Sequence, residues 1–485
     1  ANVTRTTNRI SSTRQVPEYE VKKGSGNEHK PTYLLSQQAP PAEAVVTKVE
    51  GDLVEVWLGG IEPHFFDAFN QDAVFLLLDR TGKNLGLVQL KSRDSNNGLI
   101  GRAEVIEIKQ AEALKPGLLL QEQARAIPGD LTLRIGLDES LGNASSRASI
   151  QALPSRLEPT PLGETEVHYI LGRITPPRYQ ELQEQQTTEN IPQVGSLGLY
   201  TPGLDLIPGS FGMPQETVID AIERLQAKFR SLLAARVIKL ALNANSSRLN
   251  VSAAMNILEP QTRKVLEVAA TAFTVRGGDP KGVARSDRTI SKVPNSSPSS
   301  TSTQAVVIKD GIATIPLGKR LQFELKNAED YDLYLTVIVV SPEGDMILLF
   351  PNSWTADDNA ALVEAGQTRF IPDPSKGDQF KITVGKPLGM VEVLIIASAT
   401  PLSNALKALQ SIATEPGQRG KPLLLAEESI AVIDNLLGDF DQGTRGSRPN
   451  LELLPRTPKI QFAPNVRAVN TTQLAAMSIT YRAKG

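Results

Sequence analysis

The clearest hydrophobic pattern in the chain lies in its C-terminal third. Two almost wholly apolar runs, Leu333–Val340 and Met346–Phe350, flank the tetrad SPEG at 341–344. Proline at the second position and glycine at the fourth favour a type I turn. Because both runs are too short and too evenly apolar for an amphipathic helix, they predict a β-hairpin that is buried on both faces. Such a hairpin needs a sandwich or barrel around it.

Short apolar runs separated by glycine turns begin at residue 44. Runs of about five to eight residues are typical of strands, and glycine turns join consecutive strands. The pattern predicts a small SH3-like or OB-like β-barrel over residues 44–130. The predicted strands are Val45–Val49, Leu53–Leu58, Val74–Leu78, Leu85–Leu90 and Gly101–Ile108.

The predicted barrel is rich in aromatic residues, and two interpretations stay open for them. A small barrel must fill its interior, which makes these residues core residues. Alternatively, they bind a peptide. Oligonucleotide binding is not favoured, because lysine and arginine are sparse between the aromatic residues. The residues are Trp57, Phe65, Phe66, Phe69 and Phe75.

A helical pattern dominates the next part of the chain. Pro214 suits a first turn, and from there to about Leu242 apolar residues recur every three or four positions, which predicts one long helix over 214–242. Residues 131–276 are therefore predicted to form an α+β domain in which this helix packs across a sheet. Its predicted strands or buried segments are Leu131–Leu137, Glu166–Ile174, Arg248–Val251 and Val265–Phe273.

Two polar segments are predicted to lie outside the folded domains. Residues 1–43 are irregular and broken by proline and glycine, as in a leader or an interdomain linker. Residues 277–303 form a Ser/Pro-rich linker, since a stretch of serine, proline, threonine and asparagine cannot bury apolar surface. With these joints, the chain is predicted to be mainly β with some α, a multidomain α+β protein.

Strand patterns return after the linker and predict an antiparallel β-sandwich over residues 304–485. Two amphipathic helices accompany it, Leu402–Ala413 and Leu425–Leu437, and Gly438 is predicted to end the second. Met477–Arg482 forms a last predicted strand that ties the C-terminus to the sheet.

Composition excludes several classes of function. Lysine and arginine number 51 against 53 acidic residues, a net charge of −2, so the chain lacks the basic excess that nucleic-acid binding needs. No apolar run approaches the ~18–20 residues that span a bilayer, and no membrane span is predicted. Cysteine is absent, which removes disulfides, thiolate nucleophiles and zinc–thiolate sites from this chain.

Histidine offers few candidates for chemistry. His29, His64 and His168 are far apart in sequence, which disfavours a histidine-based metal site or triad. His168 lies in a predicted strand. Glu164 and Glu166 share its strand face and are the nearby candidate co-ligands. A zinc site usually has a second histidine or a cysteine, so we interpret His168 as structural or exposed.

The remaining motifs are incomplete. Thr81-Gly82-Lys83 lacks the earlier glycine and the following hydroxyl residue of a phosphate-binding loop. The stretch DFDQG at 439–443 mimics part of a calcium loop but lacks its third oxygen ligand and its final glutamate, so it is interpreted as a solvated helix end. Asp357-Asp358 near Glu364 has no neighbour that would perturb its titration. The sequence thus predicts no catalytic, cofactor-binding or metal-ligating residue, no cofactor and no enzyme activity.

Three stretches together resemble the C-terminal half of cyanobacterial caspase-family proteins. The first is AVVTKVEGDLVEVWLGGIEP, Ala44–Pro63, with its continuation FLLLDRTGKNLGLVQLKSRD. The second is VSPEGDMILLFPNSW with the segments FIPDP and PLGMVEVLIIAS, which resemble a domain of unknown function that often follows caspase-like domains. The third is TTQLAAMSITYRA, Thr471–Ala483, which resembles that family's closing strand. The resemblance spans about residues 44–485.

The resemblance implies that a caspase-like domain precedes this region and carries the catalytic histidine and cysteine. No position here matches either motif, so no catalytic residue is carried over. Residues 1–43 resemble the junction after that domain, which implies a fragment or a processed product beginning at Ala1. Some relatives carry a twin-arginine-type export signal, which implies a bacterial protein that is exported to the periplasm or beyond, with a cytoplasmic location left open.

Three hypotheses for function follow. The first is a non-catalytic scaffold or regulatory region of a caspase-like protein, which acts through protein–protein contacts with a caspase-like domain or with copies of itself. The second is a structural subunit of an extracellular or surface assembly or filament. The third is the accessory part of a cysteine peptidase whose catalytic domain lies upstream or on another chain.

Overall fold

Strands outweigh helices in the structure, a computed structural model, by 41% to 21%, which confirms the mainly β prediction. The predicted leader 1–43, apart from its last two residues, and the predicted linker 277–303 lie outside the described residues. The structure describes residues 42–94, 98–110, 113–142, 156–163, 167–185, 191–275, 307–309, 312–353, 357–412, 420–425, 428–446 and 460–485.

The described residues form 24 strands and five α-helices. The strands are β1 (Ala44–Glu50), β2 (Leu53–Trp57), β3 (Val74–Leu78), β4 (Asn84–Arg93), β5 (Ile100–Ile108), β6 (Leu119–Pro128), β7 (Leu133–Leu137), β8 (Leu157–Pro161), β9 (Tyr169–Arg173), β10 (Leu197–Tyr200), β11 (Val251–Leu258), β12 (Val265–Phe273), β13 (Val307–Lys309), β14 (Ile312–Pro316), β15 (Arg320–Asn327), β16 (Leu333–Val340), β17 (Met346–Phe350), β18 (Leu362–Val363), β19 (Thr368–Ile371), β20 (Ile382–Thr383), β21 (Gly389–Ser398), β22 (Leu423–Leu424), β23 (Val466–Asn470) and β24 (Leu474–Lys484). The α-helices are α1 (Pro176–Gln185), α2 (Val218–Arg224), α3 (Gln226–Lys239), α4 (Ser403–Ile412) and α5 (Ser429–Gly446), and short 3-10 helices cover Pro63–Phe69, Glu139–Leu141, Asp358–Ala361 and Pro374–Lys376.

The predicted barrel is present and closed. Its strands follow the order β1-β2-β5-β4-β3-β6, and β1 pairs with β6 through Ala44 and Leu120 to close the circle. Closure satisfies the edges that a small open sheet would expose. The sixth strand, β6, is one that the sequence pattern did not predict. Towards its C-terminal end β6 also pairs with β23, so a segment near the C-terminus, Val466–Asn470, extends the barrel sheet.

The middle region holds a four-stranded sheet in the order β10-β9-β7-β8. The helix predicted as one over 214–242 is two helices, α2 and α3, which meet at Leu225. The first begins at Val218 rather than at Pro214, because the Thr217 side chain accepts a hydrogen bond from the Asp220 amide and caps it. An N-cap residue lies outside the helix that it starts.

The C-terminal region is a sandwich of two sheets. One sheet has the order β12-β11-β15-β19 with β20 beside β15, and the other has the order β13-β14-β24-β21-β16-β17-β22 with β18 beside β16. The first sheet takes β11 and β12 from residues before the linker, which differs from the predicted boundary at 276. The apolar residues Val251, Ala253, Met255 and Ile257 alternate along β11 and reach the sandwich core.

The hairpin prediction is confirmed. Its two strands are β16 and β17, which pair antiparallel. Leu335 and Val337 face the other sheet of the sandwich, whereas Ile338 and Val340 face the opposite way, into a core shared with α3, α4 and α5. The hairpin therefore belongs to the middle layer of three, with a sheet on one side and helices on the other.

The two C-terminal helices also cover this layer. They occupy Ser403–Ile412 and Ser429–Gly446. Gly438 does not end the second helix as predicted. The residues after it make tertiary hydrogen bonds in helical conformation, and these contacts outweigh the preference of glycine for a helix end.

Candidate functional site

A buried ion pair joins the barrel to the helices. Arg125 on β6 is 3% exposed and binds both carboxylate oxygens of Glu122, at 2.7 and 2.9 Å. The same guanidinium donates to the carbonyl oxygens of Leu240 and Leu242, at 2.6 and 2.8 Å. A cation is favourable at the C-terminal end of a helix. Through its two bonds to these carbonyl oxygens, Arg125 holds the end of α3 against the barrel.

His168 lies where the middle sheet, α3 and the barrel meet. Its Nδ1 accepts the Arg134 amide at 2.8 Å, and its Nε2 faces the Arg236 Nε at 2.9 Å and the Arg134 guanidinium at 3.3 Å. A neutral imidazole has one nitrogen lone pair that can accept a hydrogen bond, and a protonated ring has none. The N–H donors around His168 therefore favour the neutral ring. Burial first, then the charges of Arg236 and Arg134, lower its pKa from 6.5 to about 3.

This environment makes His168 a structural residue that is neutral at physiological pH. Its candidate co-ligands Glu164 and Glu166 lie outside the described residues. Within the described residues, no three histidine or acidic side chains come together in a way that could hold a metal ion. Asp67 on the barrel pairs with Arg236, so the cluster links the barrel to α3. Of the other histidines, His64 is exposed on the barrel and His29 is outside the described residues.

A second buried network holds the loops of the sandwich. The Asp378 carboxylate, 3% exposed, accepts hydrogen bonds from the guanidinium of Arg369 at 2.8 and 2.9 Å, the amide side chain of Asn352 at 2.9 Å and the backbone amide of Asp373 at 2.6 Å. The Arg369 guanidinium also lies 5.0 Å from the centre of the Phe350 ring. These donors satisfy the oxygen atoms of a carboxylate that is shielded from water. Its hydrogen bonds fix the chain after β17 against the chain after β19.

The two aspartates of the calcium-like stretch are buried, so its interpretation as a solvated helix end is wrong. Asp439 is 2% exposed and accepts the backbone amides of Asn404 and Ala405, at 3.1 and 2.9 Å. It thereby accepts hydrogen bonds from two backbone N–H groups in the first turn of α4, which have no partner within the helix. Asp441 pairs with the Arg445 Nε at 2.8 Å. Burial raises the pKa of Asp439.

The other candidate acids do not form a pair. Asp357 accepts the Asn359 amide at 3.0 Å, whereas Asp358 accepts the Ser403 hydroxyl at 2.7 Å. In the turn Thr81-Gly82-Lys83, the amides of Thr81 and Lys83 both donate to the side chain of Asp79, at 2.8 and 2.9 Å. These groups stabilise local turns and a helix contact.

The aromatic residues of the barrel have mixed roles. Phe69 and Phe75 are fully buried, as expected for a core. The Phe65 and Phe69 rings lie 4.7 and 5.1 Å from the Arg125 guanidinium, so they also contact the buried ion pair. Trp57 is different, because it is 45% exposed on the outside of the barrel.

One edge of the sandwich is open among the described residues. β12 is the end strand of its sheet and pairs with β11 alone. The Thr274 amide donates to the Val251 carbonyl at 3.0 Å. Because hydrogen-bonded and non-hydrogen-bonded pairs alternate in an antiparallel ladder, Ala272 also bonds to β11, whereas the N–H and C=O groups of Thr271 and Phe273 point away from it.

The side chains along this edge are apolar and exposed. Val268, Phe273 and Val275 are 41%, 54% and 53% exposed, and no charged residue occurs between Val268 and Val275. Natural edge strands usually carry a lysine, a proline or an inward charge that prevents pairing with another chain. Residues 270–275 carry none of these. Sequence reasoning missed this edge, because an uncharged run of this length is equally typical of a buried strand.

Comparison with known proteins finds one similarity. Residues 314–401 match the model of a family described as a domain of unknown function (DUF4384). The matched segment contains the hairpin and the network around Asp378. No helix among the described residues has both the length and the apolar character needed to cross a membrane. No curated protein and no solved structure matches the chain. Residues 314–401, which form part of the sandwich, are therefore similar to a domain of unknown function.

Proposed function

We propose that this chain is a non-catalytic scaffold or regulatory region that acts by binding another protein, with β12 as its docking strand. The observation that carries the proposal is the open edge at Thr271 and Phe273, whose backbone groups face away from β11 in an exposed, uncharged stretch. An extended segment of a partner can add to such an edge through main-chain hydrogen bonds.

The hydrogen bonds of the buried polar and charged side chains support this proposal. Arg125 joins the barrel to α3, and His168 lies in a second cluster at the same junction. Asp378 and Asp439 satisfy backbone amides and side chains in the sandwich and at α4. These groups hold neighbouring elements together, as a support for a docking strand requires.

The resemblance to caspase-family proteins suggests the partner. We propose that the chain follows a caspase-like domain in a bacterial, exported protein, and that it contacts that domain or another copy of itself. The match of residues 314–401 to a domain of unknown function agrees with the second stretch of that resemblance.

Replacement of Thr271 tests the proposal. Thr271→Pro removes an N–H that faces the open edge and leaves the bonds to β11 intact, as proline requires in an edge strand. We expect at least about a tenfold loss of affinity for a purified caspase-like domain in biolayer interferometry, the equivalent of one hydrogen bond. Thr47→Lys, at an exposed threonine of the barrel, is the matched control and leaves affinity unchanged.

Two outcomes would overturn the proposal. Equal affinity of Thr271→Pro and the unchanged chain would remove β12 as the docking strand. Unaided hydrolysis of arginine- or lysine-containing peptides by purified 1–485 would overturn the non-catalytic assignment and favour a peptidase.

A structural subunit of an assembly is the second candidate function. It is favoured by further exposed apolar residues beside the same edge, Val265 and Leu266, 49% and 50% exposed, and by Leu53 and Trp57 on the barrel, 47% and 45% exposed. Two separate surfaces would let copies join in an open chain. Electron microscopy tests this candidate, and single particles at every concentration would exclude it.

A further inference from the structure

The edge of β12 that no described strand covers has its free backbone groups centred on one residue. Thr271 and Phe273, whose backbone groups face outward, lie on either side of Ala272. The regular part of the strand is short, because a bulge interrupts the pairing between Ala270 and Val268, and the Val275 amide donates to the Ala244 carbonyl at 2.9 Å. The groups available for pairing are therefore centred on Ala272.

We infer that the partner at this edge is a second copy of this chain, paired antiparallel with its two-fold axis at Ala272. This inference rests on the proposed function. In this register Thr271 of each copy lies opposite Phe273 of the other, and the two residues exchange both of their N–H···O bonds. The five-stranded sheets of the two copies join into one continuous sheet.

The side chains fit this register. Phe273 comes opposite Thr271 on the outer face, an aromatic and β-branched pair of the kind that stabilises neighbouring strands. On the inner face Ala272 meets its own counterpart, and the small side chain suits the close approach of a non-hydrogen-bonded pair. No charge opposes a like charge, because residues 268–275 are uncharged.

Two-fold pairing satisfies the open edges of both copies at once. The same surface is used on each chain, so a single contact satisfies both open edges and the assembly closes as a dimer. The edge is complementary to itself, because the short window between the bulge and the Val275–Ala244 bond is centred on Ala272 and its residues carry no charge. This self-complementarity favours a second copy as the occupant.

A single introduced cysteine tests the register, since the chain has none of its own. In a non-hydrogen-bonded antiparallel pair the two Cα atoms are about 4.5 Å apart, within the range that a disulfide spans. We expect Ala272→Cys to form a covalent dimer under mild oxidation. Ala270→Cys, on the same face of β12, is the matched control, because its two copies would be separated by about 14 Å along the strands.

The results separate the inference from its alternatives. A monomeric Ala272→Cys at all concentrations, or equal cross-linking of Ala270→Cys, would overturn the two-fold register. If Ala272→Cys does not fold, sedimentation velocity of the unchanged chain decides. We expect its mass to double with rising concentration, while Thr271→Pro stays a monomer, and a chain that never dimerises overturns the inference.

The same experiments distinguish this inference from the proposed function. If the unchanged chain is always a monomer but Thr271→Pro still weakens binding to a caspase-like domain, the docking strand stands and the second copy is excluded. If Thr271→Pro changes neither dimerisation nor binding, both the inference and the proposed function fail.

Discussion

Acidification from pH 7 to pH 5 is expected to destabilise this protein through His168. Its pKa is about 3 in the folded protein and 6.5 as the ordinary value. Between these values the unfolded chain binds a proton that the folded chain does not, so stability is fully present above pH 6.5 and is lost as the pH falls. pH 5 lies about 1.5 units below the ordinary pKa, and each pH unit corresponds to about 1.4 kcal/mol of stability. The expected loss of stability at pH 5 is therefore about 2 kcal/mol. Solvent screening at this half-buried position lowers the figure toward about 1 kcal/mol.

Urea denaturation at both pH values measures this effect. Other groups titrate over the same range, so the decisive quantity is the difference between the unchanged chain and His168→Asn, in which the asparagine oxygen can accept the Arg134 amide without titrating. We expect His168→Asn to lose about 1–2 kcal/mol less than the unchanged chain between pH 7 and pH 5. His64→Asn, at an exposed histidine, is the control and behaves as the unchanged chain. Equal losses in the unchanged chain and His168→Asn would refute the reasoning.

The other predictions concern stability, and urea denaturation at pH 7 measures each of them. Arg125→Met leaves the buried Glu122 carboxylate without its partner and should cost about 3–5 kcal/mol, whereas the double variant with Glu122→Gln should recover part of that loss. Gly344→Ala should cost about 2 kcal/mol, because the glycine has a φ of +84° and an added Cβ would lie 2.4 Å from Leu232 Cδ2. Ala272→Pro should cost about 2–3 kcal/mol by removing a bond to β11, unlike Thr271→Pro, which should cost little. Equal stability of the two proline variants would show that the assignment of outward groups on β12 is wrong.

The features that sequence predicts well are local in the chain. The hairpin needs only two apolar runs and the turn between them, and the structure has its strands at Leu333–Val340 and Met346–Phe350 as expected. The barrel strands are likewise joined by short turns. Features that depend on distant segments were not predicted, because hydrophobic periodicity does not say which strand pairs with which. Val466 pairs with Pro128 in the barrel sheet, and Val251 pairs with Asn327 across the linker.

The environment of the candidate site residues likewise depends on distant segments of the chain. The sequence placed His168 in a predicted strand, but its low pKa depends on burial and on the charges of Arg236 and Arg134, which lie 68 and 34 residues away. Asp439 looked like a solvated helix end, because the α4 amides that it accepts come from a separate helix. Continuous apolar spacing across Leu225 hid the break between α2 and α3. In each case tertiary contacts decided the outcome.

Amide hydrogen exchange along β12 tests the central claim, docking through this edge, most directly. We expect the amides of Thr271 and Phe273 to exchange quickly in the dilute chain and to become protected at high concentration or on addition of a caspase-like domain. The amide of Ala272, bonded to β11, should stay protected throughout. Protection of Thr271 and Phe273 that does not change under either condition would contradict the account.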